Sequence, residues 1–298
     1  MKHLYLTALI SALLLCGSCI NDDQGDCPNA ALFFRYLGDQ EQCCFGRHIG
    51  KVNLYVYDSE GSLVETHVRR QEDLKALQGI QLKLPAGEYH VVCWGNMYAR
   101  SKVDREATLR QAVIAPPRYF EGQKLVTSDS LYFGYKNLVV SERDRIKDTV
   151  IFRNSHVKMN VYISGIEKEL CHPEDSPADL WLEDVRAVMD FNHERLETKT
   201  QYIPELTYNA EKNEYKAVFN LPRFYDDNII RLRLYADDDH PIPNGTGLLY
   251  DLSLREFMDR YKISVEDRAE ELLAIRLHFN KTTISIAPWK EEEIKPGM

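Results

Sequence analysis

The sequence predicts an all-β fold built from two β-sandwich domains in tandem. Apolar residues alternate with polar residues at period two through most of the chain, and turn-forming residues recur about every 12 residues. Only one stretch shows convincing helical periodicity. Many short strands separated by frequent turns are typical of sandwich proteins. We find no repeat of the solenoid or propeller kind.

Length and composition allow a large folded core. The chain has 298 residues, of which 44% are hydrophobic and 28% are charged, and its formal net charge is −9. This composition excludes a disordered chain, and the length suits one large domain or two ordinary ones. The acidic balance, without a basic stripe, argues against nucleic acid as a partner.

The first 18 residues are predicted to be a signal peptide, and residues 19–27 a polar tether to the folded part. Lys2 supplies a positive start and residues 4–15 form an apolar run. A run of this length fits a secretory signal and is too short to span a membrane. After it no apolar run approaches about 20 residues, so membrane attachment would be by lipid alone.

The end of the signal peptide suggests lipidation. The residues Cys16-Gly17-Ser18-Cys19 resemble a bacterial lipobox, which implies that Cys19 carries diacylglycerol and palmitate. The sequence departs from the usual lipobox at Cys16, which is itself a second candidate acceptor. Ordinary secretion with a free cysteine is the alternative.

Removal of the signal peptide and lipidation of Cys19 would leave five of the seven cysteines, so at least one is unpaired or intermolecular. They are Cys27, Cys43, Cys44, Cys93 and Cys171. An exported chain permits disulfides. Cys27 could pair with Cys43, Cys44 or Cys93, and no sequence rule chooses among these partners.

The first sandwich domain is expected to span residues 28–155. Alternating patterns predict its strands at residues 31–37, 51–57, 63–68, 80–84, 88–94, 131–135 and 148–153. Residues 99–130, which include Pro116-Pro117, are expected to be irregular.

The second sandwich domain is expected to span residues 156–298. Its strands are predicted at residues 157–163, 184–191, 214–221, 229–236, 273–279 and 283–287. The helical stretch runs from residue 252 to 261, because Leu254, Phe257, Met258 and Tyr261 follow i, i+3, i+4, i+7 spacing. An extension of this helix toward residue 271 is left open.

The sequence contains none of the motifs of the common catalytic or phosphate-binding sites, so no catalytic, cofactor or metal residue is assigned. His278 lies on the polar side of an alternating strand and is expected at the surface. The run Asp237-Asp238-Asp239-His240 lacks the spacing of a calcium loop and is expected to be a solvated turn. Trp94, Trp181 and Trp289 are expected in the sandwich cores, and a sugar-stacking platform is the alternative.

Several segments together carry a resemblance to a known family. They are Cys19, Asp26-Cys27-Pro28, residues 52–61, Leu84-Pro85-Ala86-Gly87-Glu88-Tyr89, Trp94-Gly95-Asn96, Leu131-Tyr132-Phe133-Gly134, residues 153–161 and Ile284-Ser285-Ile286-Ala287-Pro288-Trp289. In this order the chain resembles the fimbrial anchor-subunit family of Bacteroidales, the FimB-type anchors. The paired Cys43-Cys44 departs from the family pattern.

The resemblance implies two transthyretin-like sandwich domains in a non-enzymatic lipoprotein. Such a protein would root a fimbrium in the outer membrane at the cell surface and limit its length. Its partner would be the fimbrial stalk subunit, contacted by strand exchange, with no small-molecule substrate. An unpaired sheet edge presents N–H and C=O groups that an added strand can satisfy.

Stalk subunits of this kind lose their first strand by cleavage after an arginine. In this chain, cleavage after Arg35 or Arg47 would separate the fold from the lipid at Cys19, unless a disulfide from Cys27 held the pieces together. We therefore expect the N-terminal strand, residues 31–37, to stay in place and its groove to stay filled.

The candidate donor strand is the C-terminal region, residues 283–298, with Ile284, Ile286 and Trp289 as its apolar residues. Two alternatives to the anchor remain. One is a surface lipoprotein that binds a glycan or host ligand, and the other is a fimbrial tip adhesin of the same fold.

Overall fold

The computed structural model describes residues 27–40, 42–166, 178–236, 247–270, 272–280 and 283–288. Within these residues the chain is mostly β-strand, and the longest helix has 8 residues, which confirms the all-β prediction. None of the described helices is long and apolar enough to cross a membrane.

The strands of the first half are β1 (Ala30–Arg35), β2 (Val52–Asp58), β3 (Leu63–Arg69), β4 (Gly79–Leu82), β5 (Gly87–Gly95), β6 (Lys102–Asp104), β7 (Val113–Ala115), β8 (Tyr132–Val140) and β9 (Ile146–Asn154). Those of the second half are β10 (His156–Ser164), β11 (Ala178–Arg186), β12 (Met189–Asp190), β13 (Lys199–Tyr202), β14 (Thr207–Asn209), β15 (Glu214–Pro222), β16 (Arg231–Ala236), β17 (Leu248–Ser253), β18 (Leu272–Asn280) and β19 (Thr283–Pro288). The helices are α1 (Phe45–His48), α2 (Gln71–Ala76), α3 (Pro117–Phe120) and α4 (Leu254–Tyr261).

The N-terminal sandwich is a seven-stranded sheet in the order β3-β2-β5-β8-β9-β1-β4. This one sheet forms both layers of the sandwich, and strand β9 belongs to both of them. Its residues 146–151 pair in parallel with β1, and residues 152–154 pair antiparallel with β8. Leu32 of β1 and Leu54 of β2 lie in one buried cluster, so the two layers enclose a shared core.

The C-terminal sandwich consists of a five-stranded sheet, β14-β15-β10-β18-β19, and a four-stranded sheet, β13-β11-β16-β17. Val161 of β10 and Leu234 of β16 are fully buried in a common core. This arrangement places the apolar positions of the alternating strands in one cluster.

Helix α4 covers the C-terminal core with the apolar face that the sequence pattern predicts. Leu254, Phe257 and Met258 are buried. The Ser253 hydroxyl accepts a hydrogen bond from the Glu256 amide at 3.3 Å and caps the helix. The helix begins at residue 254 and not at 252, because residues 248–253 form β17; it ends at Tyr261, so the extension toward residue 271 does not occur.

The two sandwiches meet at a junction that residues 99–130 help to build. Expected to be irregular, this segment contains β6, β7 and α3, and β7 pairs with β12 in a three-stranded sheet. Leu125 lies in the C-terminal core, and its carbonyl accepts a hydrogen bond from the Ile203 amide at 2.6 Å. The domain boundary near residue 155 stays a prediction.

The strand predicted at residues 184–191 is wrong in its bounds. The structure has β11 at Ala178–Arg186 and the short β12 at Met189–Asp190. A register shift between Leu182 and Val185, with Asp184 at a φ of 62°, interrupts the alternation there. The sequence analysis missed β13, β14 and β17, which are short or border a helix.

Candidate functional site

Strand β1 is built into the N-terminal sandwich along both of its edges. It pairs with residues 146–151 on one side and with residues 79–82 on the other. Its Leu32 and Phe34 side chains are buried in the core, while Arg35 at its end is exposed. A strand close to the predicted bounds of residues 31–37 is therefore present, and its groove is filled.

The residues that follow β1 bind the loop before β18. The Tyr36 hydroxyl donates a hydrogen bond to the Glu270 carboxylate. The Asp39 carboxylate accepts hydrogen bonds from the amides of Ala269, at 2.6 Å, and Glu270, at 3.1 Å. The Arg223 guanidinium donates to the carbonyl of Ala269 at 3.0 Å. We call Tyr36, Asp39, Arg223 and Glu270 the junction clamp.

Electrostatics favour the proton positions that the junction clamp requires. Burial, followed by the hydrogen bond and charge of Glu270, raises the pKa of Tyr36 above its usual range. Burial and the charge of Glu270 also raise the pKa of Tyr132, whose hydroxyl lies 3.2 Å from the same carboxylate. Both hydroxyls therefore stay protonated and serve as donors.

His193 packs at the junction as a neutral side chain. Its ring stacks on Phe133 with centroids 4.6 Å apart and planes at 3°. Its Nε2 lies 2.7 Å from the Ser155 hydroxyl. Burial, followed by the charges of Arg195 and Arg153, lowers the pKa of His193 to about 3. Ser155 is fully buried, so its hydroxyl is not accessible to an external substrate.

The candidate donor residues lie on an edge strand. In the described part of the chain β19 pairs with β18 alone, at the end of the five-stranded sheet. Ile286 packs against the C-terminal core, and its carbonyl accepts a hydrogen bond from the Tyr261 hydroxyl at 2.6 Å. Ile284 lies on the same face, and Trp289 is outside the described residues. The donor role stays a prediction.

The cysteines are distributed between the described and undescribed parts of the chain. Cys16, Cys19 and Cys171 lie outside the described residues, so lipidation at Cys19 stays a prediction. Free thiols stand at Cys27 and Cys43, which are exposed, and at Cys44 and Cys93, which are buried. The pairings considered for Cys27 with the other three are therefore not formed in this structure.

The other residues weighed in the sequence take ordinary positions where they are described. Trp94 is fully buried, as expected. Trp181 lies instead on the outer face of β11, partly exposed, with its ring 5.4 Å from that of Tyr235. His278 is exposed, as expected, and its Nδ1 lies 3.0 Å from the Ser164 hydroxyl. The run 237–240 is outside the described residues.

The sequence analysis missed the junction clamp. Tyr36 and Glu270 are 234 positions apart, so no local pattern connects them. The turn signal Gly38-Asp39 after an alternating strand was available, and Gly38 has a φ of 57°. It marks the turn but does not indicate what the Asp39 carboxylate binds.

The fold defines the class: a β-sandwich protein whose strand β1 is paired along both edges within its own sheet. The sequence matches the family model for fimbrillin-A associated anchor proteins Mfa1 and Mfa2 over residues 24–295, and the chain belongs to this family. The family resemblance inferred from the sequence is confirmed. No match is found among the curated proteins.

Solved structures share this fold at low sequence identity. The chain is similar to the fimbrial anchor protein Mfa2 from Porphyromonas gingivalis, with a TM-score of 0.65, 16% identity and coverage of 88% of this chain and 98% of that one. A protein described as an adhesin from Bacteroides ovatus has a TM-score of 0.68 and 17% identity, and the match covers 91% of this chain and 96% of that one. A protein described as polysaccharide-binding from Bacteroides thetaiotaomicron has a TM-score of 0.67 and 13% identity, and the match covers 90% of this chain and 99% of that one.

Membership of this family indicates a fimbrial anchor or adhesin role. It also indicates association with fimbrial subunits and a location in the fimbrium at the cell surface. A structural and non-enzymatic role follows from the same relationship.

Proposed function

We propose that this chain is a lipid-anchored subunit that attaches a fimbrium to the outer membrane and limits the length of the fimbrium. Cys19 carries the lipid, the folded part is exposed at the cell surface, and the stalk subunit is the partner. The observation that carries the proposal is the pairing of β1 along both of its edges within the N-terminal sheet.

Strand β1 is protected at the point where cleavage would free it. The peptide bond after Arg35 joins the last residue of a two-sided strand to Tyr36, which is 1% exposed and bound to Glu270. A protease needs an extended and accessible segment, which β1 does not offer while it is paired on both edges. The filled groove supports an end to subunit addition at this protein.

Attachment through Cys19 requires more than one acyl chain. A single chain gives only marginal and reversible membrane binding, whereas two or more give stable anchoring. Diacylglycerol and palmitate on Cys19 together meet this requirement.

The stalk contact is assigned to the C-terminal region. Ile284 and Ile286 present apolar side chains on an edge strand, and Trp289 follows directly after Pro288. An edge strand has unpaired N–H and C=O groups that a strand of a second subunit can satisfy. Residues 283–298 therefore form the candidate donor strand.

The anchor role is tested by immunogold microscopy of cells that make the wild-type protein or Cys19→Ala. Label at the base of filaments, with filaments shed by the variant, is the expected result. Cys27→Ala, at the exposed cysteine that ends the tether, is the matched control and should retain filaments. Label scattered over the surface, with filaments unaffected by Cys19→Ala, would exclude an anchor.

The donor assignment needs its own experiment. A truncation after Pro288 removes Trp289 and the charged tail but leaves the residues of β19 in place. Release of filaments into the medium is expected. Full retention would contradict a role of Trp289 and the tail in the stalk contact.

A tip adhesin or a glycan-binding surface lipoprotein is the second candidate function. It is favoured by the structural neighbours described as an adhesin and as polysaccharide-binding. Gold label at the distal end of filaments would indicate the tip adhesin. Absence of the stalk subunit from pull-downs would indicate the glycan-binding lipoprotein.

A further inference from the structure

A cleft of about 500 Å³ lies at the junction of the two sandwiches. Arg153 at the end of β9, His193 and Arg195 after β12, Tyr225 after β15 and Asp267 before β18 contribute to its walls. Its volume is in the range of small-molecule binding sites, and both sandwiches form it.

Two arginines of the cleft lack a carboxylate partner. In the described part of the chain neither Arg153 nor Arg195 forms an ion pair, although the protein has a net charge of −9. The Arg195 guanidinium carbon lies 4.5 Å from the centroid of the Tyr225 ring, and its buried Nε has no hydrogen-bond partner. Arg153 is exposed. Arg195 also interacts with the Tyr225 hydroxyl, but no carboxylate among the described residues neutralises either guanidinium group by an ion pair, so both positive charges can attract an anion.

The other charged groups of the cleft are largely occupied. Arg223 and Asp39 belong to the junction clamp, where backbone groups hold both side chains. The Glu266 carboxylate accepts a hydrogen bond from the Asp226 amide at 2.9 Å. Asp267 is the remaining carboxylate, and it can accept hydrogen bonds from hydroxyl groups.

The charges of the three arginines also act on the neighbouring His193 ring. After burial, the charges of Arg195, Arg153 and Arg223 are the causes that lower its pKa. The cleft thus combines a positive end, an aromatic ring that is 45% exposed at Tyr225 and a carboxylate at Asp267.

We propose that this cleft binds an acidic sugar. The sugar carboxylate lies against Arg153 and Arg195, whose planar guanidinium groups suit a carboxylate. The ring packs near Tyr225, and its hydroxyls donate to Asp267. An acidic peptide fits less well, because Asp267 repels further carboxylates while a sugar hydroxyl satisfies it. This inference does not depend on the anchor role.

The test measures binding of sialyllactose and trigalacturonate, with lactose and galactotriose as neutral counterparts, by isothermal titration calorimetry. The acidic sugars are expected to bind at least about 10-fold more tightly than the neutral ones, and more weakly as ionic strength rises. Equal binding of acidic and neutral sugars, or no binding of either acidic sugar, would overturn the proposal.

Substitutions locate the site. Arg153→Gln and Arg195→Gln should each reduce acidic-sugar affinity by about 10-fold. Arg143→Gln, at an exposed arginine in the turn between β8 and β9, should leave it unchanged. Because Arg153 is exposed, its variant should fold even if Arg195→Gln does not. Unchanged affinity in Arg153→Gln, or preferential binding of a Glu-rich peptide, would contradict an acidic-sugar site.

Discussion

The Tyr36 hydroxyl and the Glu270 carboxylate form a hydrogen bond between residues that are 234 positions apart. Tyr36 comes immediately after β1, and Glu270 lies in the loop before β18. The bond therefore connects the end of the first strand to the C-terminal sandwich. Release of the end of β1 requires disruption of the junction as well as of two sheet edges.

Tyr36→Phe removes the hydroxyl and should lower the free energy of unfolding by about 1.5–3 kcal/mol, because a hydrogen bond to a charged group is lost. It should also speed tryptic cleavage after Arg35, detected by mass spectrometry. The control is Tyr208→Phe, whose exposed hydroxyl donates to Asn213 at 2.8 Å. This control should change stability by less than about 0.5 kcal/mol. Equal effects of the two variants would contradict a clamp.

The partly buried, neutral His193 should make stability depend on pH. Its pKa is about 3 in the folded protein, and an unperturbed histidine has a value of about 6.5. The unfolded chain therefore binds a proton first as pH falls. Stability is unaffected above about pH 6.5 and decreases below it by up to about 1.4 kcal/mol per pH unit, until the folded state protonates near pH 3.

His193→Asn should remove this part of the pH dependence. Asparagine tolerates the positive φ of 70° at position 193 and does not titrate. The measurement is urea unfolding at a series of pH values between neutrality and the folded-state pKa. His278→Asn, at an exposed histidine, should keep the wild-type slope. A slope that His193→Asn leaves unchanged would assign the acid sensitivity to other groups.

Gly79→Ala should weaken the pairing of β1 with β4. A Cβ atom at position 79 would overlap the Leu32 carbonyl oxygen of β1. The free energy of unfolding is expected to fall by about 1–3 kcal/mol, and the β1 amides should exchange hydrogen faster. Gly46→Ala in α1 is the control, because its Cβ would meet no atom within 4 Å and alanine favours a helix. Retained protection in Gly79→Ala would mean that the strands adjust without cost.

Alkylation of the native protein should separate the described cysteines into two classes. Cys27 and Cys43 are exposed and should react. Burial acts to raise the pKa of Cys43, but hydrogen bonds with Phe45, Tyr36 and Gln78 outweigh it, so this pKa is lowered. Burial raises the pKa of Cys93, so its thiol should stay unmodified until the protein is unfolded. Peptide mass spectrometry after iodoacetamide treatment measures this. Rapid native labelling of Cys93 would indicate that the centre of β5 opens.

Strands in which residue type alternates strongly were predictable from the sequence. They were predictable because the two faces of such a strand pack against different surroundings. In β2, Leu54 and Val56 face the N-terminal core while Tyr55 and Tyr57 pack under Phe191. In α4 the helical spacing produces one buried face. Short strands such as β14 have too few residues for a period to be recognised.

The contacts between the sandwiches were not predictable, because they depend on relations between distant parts of the chain. The alternation of β1 indicates a strand, but the partners of Tyr36 and Asp39 lie beyond residue 264. Likewise Arg153 and Arg195 belong to separate local patterns, and only the fold places both at one cleft.

The parallel register of β1 and β9 has a mechanical consequence. A pull on the N-terminus, opposed by a pull on the C-terminal half, acts along the axis of β1. Its six register pairs with β9 are then sheared together, whereas a pull across the sheet would peel them apart in turn. Tension along the chain is therefore shared by the whole ladder, and the first strand can withstand a load that would unzip a hairpin.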